Sequence, residues 1–181
     1  MALPVIETQR LELRPYLPED ASAHAAIWRV PEVRRYLFDD REITLEEAAE
    51  LLAQIREHEA KGLGLWSIWL RDGSRALIGA VSLMPVSTAA EFDPSLASEV
   101  EPLIVLDPSV WGRGYATEAL TAVLCYGFDS LRLERIVGIN DVPNQASDRV
   151  LRRVGFEVLS EFDGPKHRLR SYTLRADQLI R

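Results

Sequence analysis

A chain of 181 residues with 47% hydrophobic and 27% charged content has the size and make-up of one ordinary folded domain, here taken as 1–181, with a sizeable core. Its 21 basic and 28 acidic side chains leave a formal charge of −7, which argues against a nucleic-acid binder working through bulk electrostatics. No apolar run approaches the roughly 20 residues that span a bilayer, no secretory pattern opens the chain, and the single Cys125 excludes an internal disulfide, so the expectation is a cytoplasmic protein with no membrane partner.

In chain order, Ile6 to Arg14 alternates around Leu11 and Leu13 and predicts a first strand. Pro18-Glu19-Asp20 opens a helix to about Trp28, and Pro31 restarts a short helical turn through Leu37. Thr44 with Glu47 is a capping box, followed by Leu45, Ala48, Leu52 and Ile55 on one face, with Gly62 as the stop. Leu65–Leu70 and Ala76–Leu83 are apolar runs joined by Arg71-Asp72-Gly73-Ser74, a hairpin signal. Residues 85–98 read as an exposed loop. Glu99–Leu106 is the next strand, and a helix then runs to about Phe128. Arg135–Ile139 is a strand, Asn144–Val154 a helix stopped by Gly155, and Phe156–Phe162 and Leu169–Leu174 are the last strands.

The most informative segment is Pro108-Ser-Val-Trp-Gly-Arg-Gly-Tyr-Ala-Thr-Glu-Ala119. An apolar strand (Leu103 to Leu106) leads into two glycines, and a helix opens at once. Gly112 and Gly114 permit backbone angles that turn successive N–H groups inward around an anion, and the helix start adds more donors. The turn is not a P-loop, because Tyr115-Ala116 stands where Lys-Ser/Thr is needed, nor a dinucleotide fingerprint, which requires a third glycine.

The string Trp111-Gly112-Arg113-Gly114-Tyr115-Ala116 resembles the Gln/Arg-x-x-Gly-x-Gly/Ala acetyl-CoA motif of the GNAT N-acyltransferases. Trp111 departs from the first position, and that departure is typical of the RimJ/RimL-like branch of ribosomal-protein N-terminal acetyltransferases. Thr8-Gln-Arg-Leu-Glu-Leu-Arg14 and Leu77-Ile-Gly79 are similar to further segments of the branch, as is Asn144-Gln-Ala-Ser147, with Gly155-Phe156 beyond it. The resemblance implies the GNAT fold, a mixed α/β (α+β) architecture with a mostly antiparallel sheet flanked by helices and splayed in the middle to hold CoA.

It also implies acetyl-CoA as cosubstrate, held by Trp111, Gly112, Arg113, Gly114, Tyr115, Ala116 and Thr117, by the strand backbone from Ile104 through Val105 to Leu106, and by Asn144 and Ser147. The residues alone favour Asn144 as a helix cap, with Ser147 in the first turn, and it is the upstream motif and the order of the blocks that turn the reading toward the cofactor. Pro102 cannot donate to a ladder and predicts a bulge or splay of its strand. Where many relatives carry a tyrosine that protonates the CoA thiolate, this chain has Leu151. Ser147, one turn back on the same face, is the replacement donor, with Tyr115, Tyr126 and Tyr172 as other hydroxyl sources. Glu101 aligns with the family glutamate and is the candidate base; Glu99 shares its side of the strand and could help hold a relaying water.

Cys125, among apolar neighbours, reads as core, and His24, His58 and His167 lack ligand spacing, so no metal is expected. Trp28, Tyr36 and Phe38 belong to the helices that flank the acceptor cleft in relatives, although core packing explains each as well. The acceptor is an amine, either a peptide N-terminus or a small amine. Residues 1–131 carry 11 basic and 21 acidic side chains, which suits a basic acceptor, and residues 132–181 carry 10 and 7, which suits an anionic cofactor; an unevenly solvated surface reads equally. A non-catalytic acyl-CoA-binding or regulatory domain is the competing class. A monomer or homodimer is expected.

Overall fold

The computed structural model describes residues 3–181, the side chain of Thr88 excepted. Five strands, β1 (Ile6–Glu7), β2 (Leu11–Pro15), β3 (Gly64–Leu70), β4 (Leu77–Pro85) and β5 (Val100–Leu106), form one antiparallel sheet in sequence order. Three more, β6 (Ile136–Asp141), β7 (Glu157–Asp163) and β8 (Arg168–Leu174), form a second antiparallel sheet in the order β6-β8-β7. Between the two sheets, β5 and β6 lie side by side without a ladder. This is the mixed, splayed architecture expected for the GNAT fold.

Period-2 alternation in the strands sends one set of side chains to each face. Leu11, Leu13, Trp66, Ile68, Val81, Leu83 and Leu106 pack under α5 (Tyr115–Asp129), whose Ala119, Leu120, Val123, Leu124 and Phe128 recur at helical spacing. On the opposite face Leu65, Ala80 and Val105 pack under α1 (Ala21–Trp28) and α3 (Leu45–Arg56), through Ala25, Trp28, Ala48 and Leu52. A single turn, α2 (Pro31–Arg34), links those two helices. The capping box is formed: Thr44 Oγ1 accepts from the Glu47 N–H at 3.1 Å and Glu47 accepts from the Thr44 N–H at 2.7 Å. The helix itself ends at Arg56, and a 3-10 turn (Glu59–Lys61) carries the chain to Gly62, whose φ is +77°. Trp28 and Phe38 stack edge to face, 5.8 Å apart, and belong to this core. Cys125, on α5 itself, lies half-buried against the core beneath that helix.

Three expectations are corrected. The first strand is a hairpin, because the Thr8 side chain accepts from the Leu11 N–H at 2.9 Å and turns the chain between Glu7 and Leu11. Residues 85–98 are not an open loop: they contain α4 (Thr88–Phe92) and a 3-10 turn (Pro94–Leu96). Val86, Ala89 and Leu96 seat that segment on Val137 and Leu169, so hydrophobic burial orders it. Finally, of the bulge or splay expected at Pro102 the bulge is absent, since the register of β5 with β4 is continuous from Gly79↔Leu106 to Pro85↔Val100, while the splay is present as the missing ladder between β5 and β6. The helix α6 (Gln145–Arg153) completes the layer that holds α5. No helix of the described residues is long and apolar enough to cross a membrane.

Candidate active site

The Gly-rich turn is built from the end of β5. Asp107 Oδ1 accepts from the Ser109 N–H at 2.8 Å and caps a 3-10 turn over Pro108–Val110. The Trp111 indole N–H donates to the Leu106 carbonyl at 2.8 Å, tying the turn back to the strand. Gly112 and Gly114 then take φ of +74° and +82°, in the left-handed region that favours glycine, and α5 starts at Tyr115. The N–H groups from Gly112 to Thr117 have no hydrogen-bond partner among the described residues. Six successive unpartnered donors thus lie at the positive end of a 15-residue helix. A Cβ built on Gly112 would meet nothing within 4 Å, so that side of the turn faces open space.

The opening between β5 and β6 follows from strand alternation. The Val86 N–H donates to Glu99 O and the Asp107 N–H to Ile78 O, each at 2.9 Å. With unbroken register between them, odd-numbered residues of β5 bond to β4 and even-numbered ones turn their backbones toward β6. Pro102 is therefore on the side that forms no ladder, and its missing N–H costs nothing there. Ile104 presents both backbone groups to the gap and Leu106 its N–H, the Leu106 carbonyl being occupied by Trp111. Val105 bonds toward Ala80 and directs its side chain into the core beneath α1 and α3.

Glu101 shares the face of Val105, the side on which α1 and α3 lie. Burial raises its carboxyl from 4.5 to about 7, and only the Ser87 N–H acts in the other direction. Glu99, two residues back, forms a two-pronged ion pair with Arg135. The two carboxylates are not a matched pair: Glu99 is engaged by Arg135, and Glu101 is the group free to exchange a proton near neutral pH.

The chain matches the acetyltransferase (GNAT) domain model over residues 10–157. The chain belongs to the GNAT family. It is 31% identical over 156 residues to an uncharacterised N-acetyltransferase, YoaA, of Bacillus subtilis, covering 85% of this chain and 83% of that protein. It is 27% identical over 163 residues to the FsC-acetyl coenzyme A-N(2)-transacetylase of Aspergillus fumigatus, covering 89% of this chain and 68% of the relative. Among solved structures, the RimL ribosomal L7/L12 alpha-N-protein acetyltransferase in complex with coenzyme A superposes with a TM-score of 0.77. That match has 20% identity and covers 97% of this chain and 99% of the other. The protein is thus an acyl-CoA N-acyltransferase, and acetyl-CoA is the donor on which acetyltransferases of its family operate.

In this GNAT enzyme α6 begins at the far side of the gap. Asn144 caps it, its Oδ1 accepting from the Ser147 N–H at 3.2 Å. The Ser147 hydroxyl has no partner among the described residues and is partly exposed, whereas Leu151 is buried in the core. Two of the alternative hydroxyls are committed elsewhere. Tyr126 donates to Gly62 O at 3.0 Å, and Tyr172 to Asp148 Oδ1 at 2.5 Å. Tyr115 packs its ring under the Arg10 guanidinium, 4.5 Å from the centroid. Arg113 folds back, its guanidinium 3.3 Å from Ser109 O. Tyr36 projects from the turn after α2 to within 6.1 Å of the His167 ring, across to the β7–β8 hairpin.

Two supports of the site escaped the sequence reading. Asp148, buried on α6, accepts from Arg152 at 2.9 Å, Arg170 at 3.0 Å and Tyr172, so the helix carrying Asn144 and Ser147 is pinned to β8. Those donors, Arg152 first, hold its carboxyl at about 2. On α5, Glu118 accepts from Thr8 Oγ1 at 2.6 Å, the Arg10 N–H at 2.8 Å and Arg10 Nε at 2.7 Å. Burial pushes the Glu118 carboxyl up, but these hydrogen bonds together outweigh it and keep it below its ordinary value. The signal was present, since Thr8-Gln9-Arg10 and Glu118 both lie in segments similar to the branch. Nothing in their spacing says that they meet.

Proposed function

We propose that this enzyme moves the acetyl group of acetyl-CoA to a primary amine in a ternary complex, and that the amine is a protein N-terminal α-amine, as in the RimJ/RimL-like branch. One observation carries the donor assignment: six unpartnered N–H groups around two left-handed glycines at a helix start, a cradle fitted to a pyrophosphate. In this reading Gly112 to Thr117 hold the diphosphate, with Trp111 bracing the turn. Ile104 and Leu106 offer backbone groups to the pantetheine arm, Val105 supports that strand from the core, and Asn144 with Ser147 lines the opposite wall. No metal enters the scheme.

The bound thioester supplies an acyl carbon already activated toward amines, so the chain provides position, a proton acceptor and a donor near the departing sulfur. Positioning is the largest contribution, up to about 7–11 kcal/mol, against roughly 10²–10⁴ in rate from acid–base help. Glu101 accepts the proton that the amine loses, directly or through a water; a carboxyl balanced near neutrality suits an α-amine, whose own pKa is about 8. The Ser147 hydroxyl donates to the sulfur as negative charge develops there. A thiol of pKa about 8.5 needs stabilisation more than full protonation. The negative net charge favours a basic acceptor such as a ribosomal protein. We take residues 1–181 as one catalytic domain, working in the cytoplasm as a monomer or homodimer.

The test is thiol release from acetyl-CoA with three acceptor sets: free N-terminal peptides, N-blocked lysine peptides and small amines. Preference for free N-termini is the expected result. Preference for small amines would overturn the acceptor and leave the transferase standing. Tight acetyl-CoA binding with no turnover on any amine would identify the non-catalytic class instead.

A further inference from the structure

The cradle contains a weak point. The peptide between Arg113 and Gly114 is followed by a glycine in left-handed conformation, and a flip would turn ψ of Arg113 and φ of Gly114 together, a rotation that the missing Cβ of Gly114 makes easier. In a trans peptide the carbonyl and the next N–H point in opposite directions. A flip would withdraw the Gly114 N–H and turn the Arg113 carbonyl toward the anion, replacing a donor by a repelling oxygen. Something outside the turn has to hold that peptide in place.

Arg10, on the turn between β1 and β2, is placed to do so. Its Nη1 donates to Arg113 O at 2.9 Å. The other prongs of its planar fork, Nε and Nη2, meet Glu118 at 2.7 and 2.6 Å, and the guanidinium lies over the Tyr115 ring. Glu118 stands one turn inside α5 and is fixed in addition by Thr8 and by the Arg10 N–H. The carbonyl of the turn and the helix behind it are thereby joined through one side chain, more than 100 residues away in sequence.

We propose that Arg10 is a positioning residue for the acetyl donor: by holding the Arg113 carbonyl it keeps the Gly114 N–H turned into the cradle. This rests on the acetyl-CoA reading above. Its guanidinium charge is matched by Glu118, so it acts through the backbone it orients and not as a free cation for the phosphates.

The experiment compares acetyl-CoA with S-acetylpantetheine, which keeps the thioester and the arm but lacks the phosphates. Wild type favours acetyl-CoA. Arg10→Ala raises KM for acetyl-CoA about tenfold, the usual scale for one charge-assisted hydrogen bond, with kcat little changed. The same variant uses S-acetylpantetheine within about twofold of wild type. Arg10→Lys keeps a cation for Glu118 and therefore the fold, leaves the Arg113 carbonyl without its donor, and shows the same donor-selective loss. Equal losses on both donors, or no loss on either, would overturn the proposal and make Arg10 a structural residue only. If wild type used the two donors equally well, the cradle itself would fail, and the inference with it. That result is distinct from a failure of Arg10 alone.

Discussion

Replacing Glu101 by glutamine is expected to make the protein more stable and less active, with both effects developing across the same pH window. Folding raises this carboxyl from 4.5 to about 7 through burial. Between those values the unfolded chain has released a proton that the folded chain still holds, so wild-type stability falls as pH rises through the window and then levels off. At about 1.4 kcal/mol per pH unit, the loss is on the order of 3 kcal/mol. Glutamine carries no proton to lose. Urea unfolding at pH 5 and pH 8 should therefore give curves for the two proteins that diverge toward high pH, the variant gaining. For activity, the wild-type-to-variant ratio of kcat/KM cancels the ionisation of the acceptor amine. It should lie close to one at acid pH, climb through pH 7 and plateau at about 10² or more. Parallel stability profiles would refute the buried carboxyl, and a ratio that is flat with pH or largest at low pH would refute its role as base.

Three further perturbations follow from named contacts. Gly112→Ala costs the fold about 1–2 kcal/mol for its left-handed backbone, with no clash because the site is open, and weakens acetyl-CoA binding about tenfold or more in calorimetry. Unchanged affinity in the folded variant would reject the binding mode. Ser147→Ala lowers turnover about tenfold at nearly constant acetyl-CoA affinity, because the Asn144 cap bonds the Ser147 N–H and not its hydroxyl. Asp148→Asn destabilises the protein at pH 7, and the gap from wild type closes as pH falls from 3.8 toward about 2, where the native carboxylate takes up its proton; thermal melts at pH 7 and pH 3 measure it.

The parts of this enzyme that were readable in advance are those specified by local chemistry. The capping box at Thr44 and Glu47, the apolar run from Leu65 to Leu70 and the two glycines before α5 each act within a few residues, and each appears where its pattern places it. Elsewhere long-range contacts override the local signals. Thr8 to Arg10 alternates like strand, yet it turns, with Glu118 bonding the turn across the molecule. Residues 85–98 are rich in turn formers, yet Val86, Ala89 and Leu96 find an apolar surface on β6 and β8 and order the segment. Pro102 reads as a ladder breaker, but its backbone nitrogen falls on the one side of β5 that has no ladder. At the site, the family motif names Glu101 as a candidate, while its separation from Glu99 is not legible in sequence, because the partner that engages Glu99 is Arg135 at the mouth of another strand. Leu151 signalled that the usual tyrosine is absent. Only the geometry says that Tyr126 and Tyr172 are already bonded to other groups.

The central claim is that the N–H groups from Gly112 to Thr117 receive the diphosphate of acetyl-CoA. Amide ¹H–¹⁵N spectra of the uniformly labelled protein, recorded while CoA is added, test it directly. The account predicts that the amides of Gly112, Arg113, Gly114, Tyr115, Ala116 and Thr117 shift furthest and move downfield together as they gain a charged acceptor. CoA binding that leaves those six resonances in place, with the largest shifts elsewhere, would contradict it.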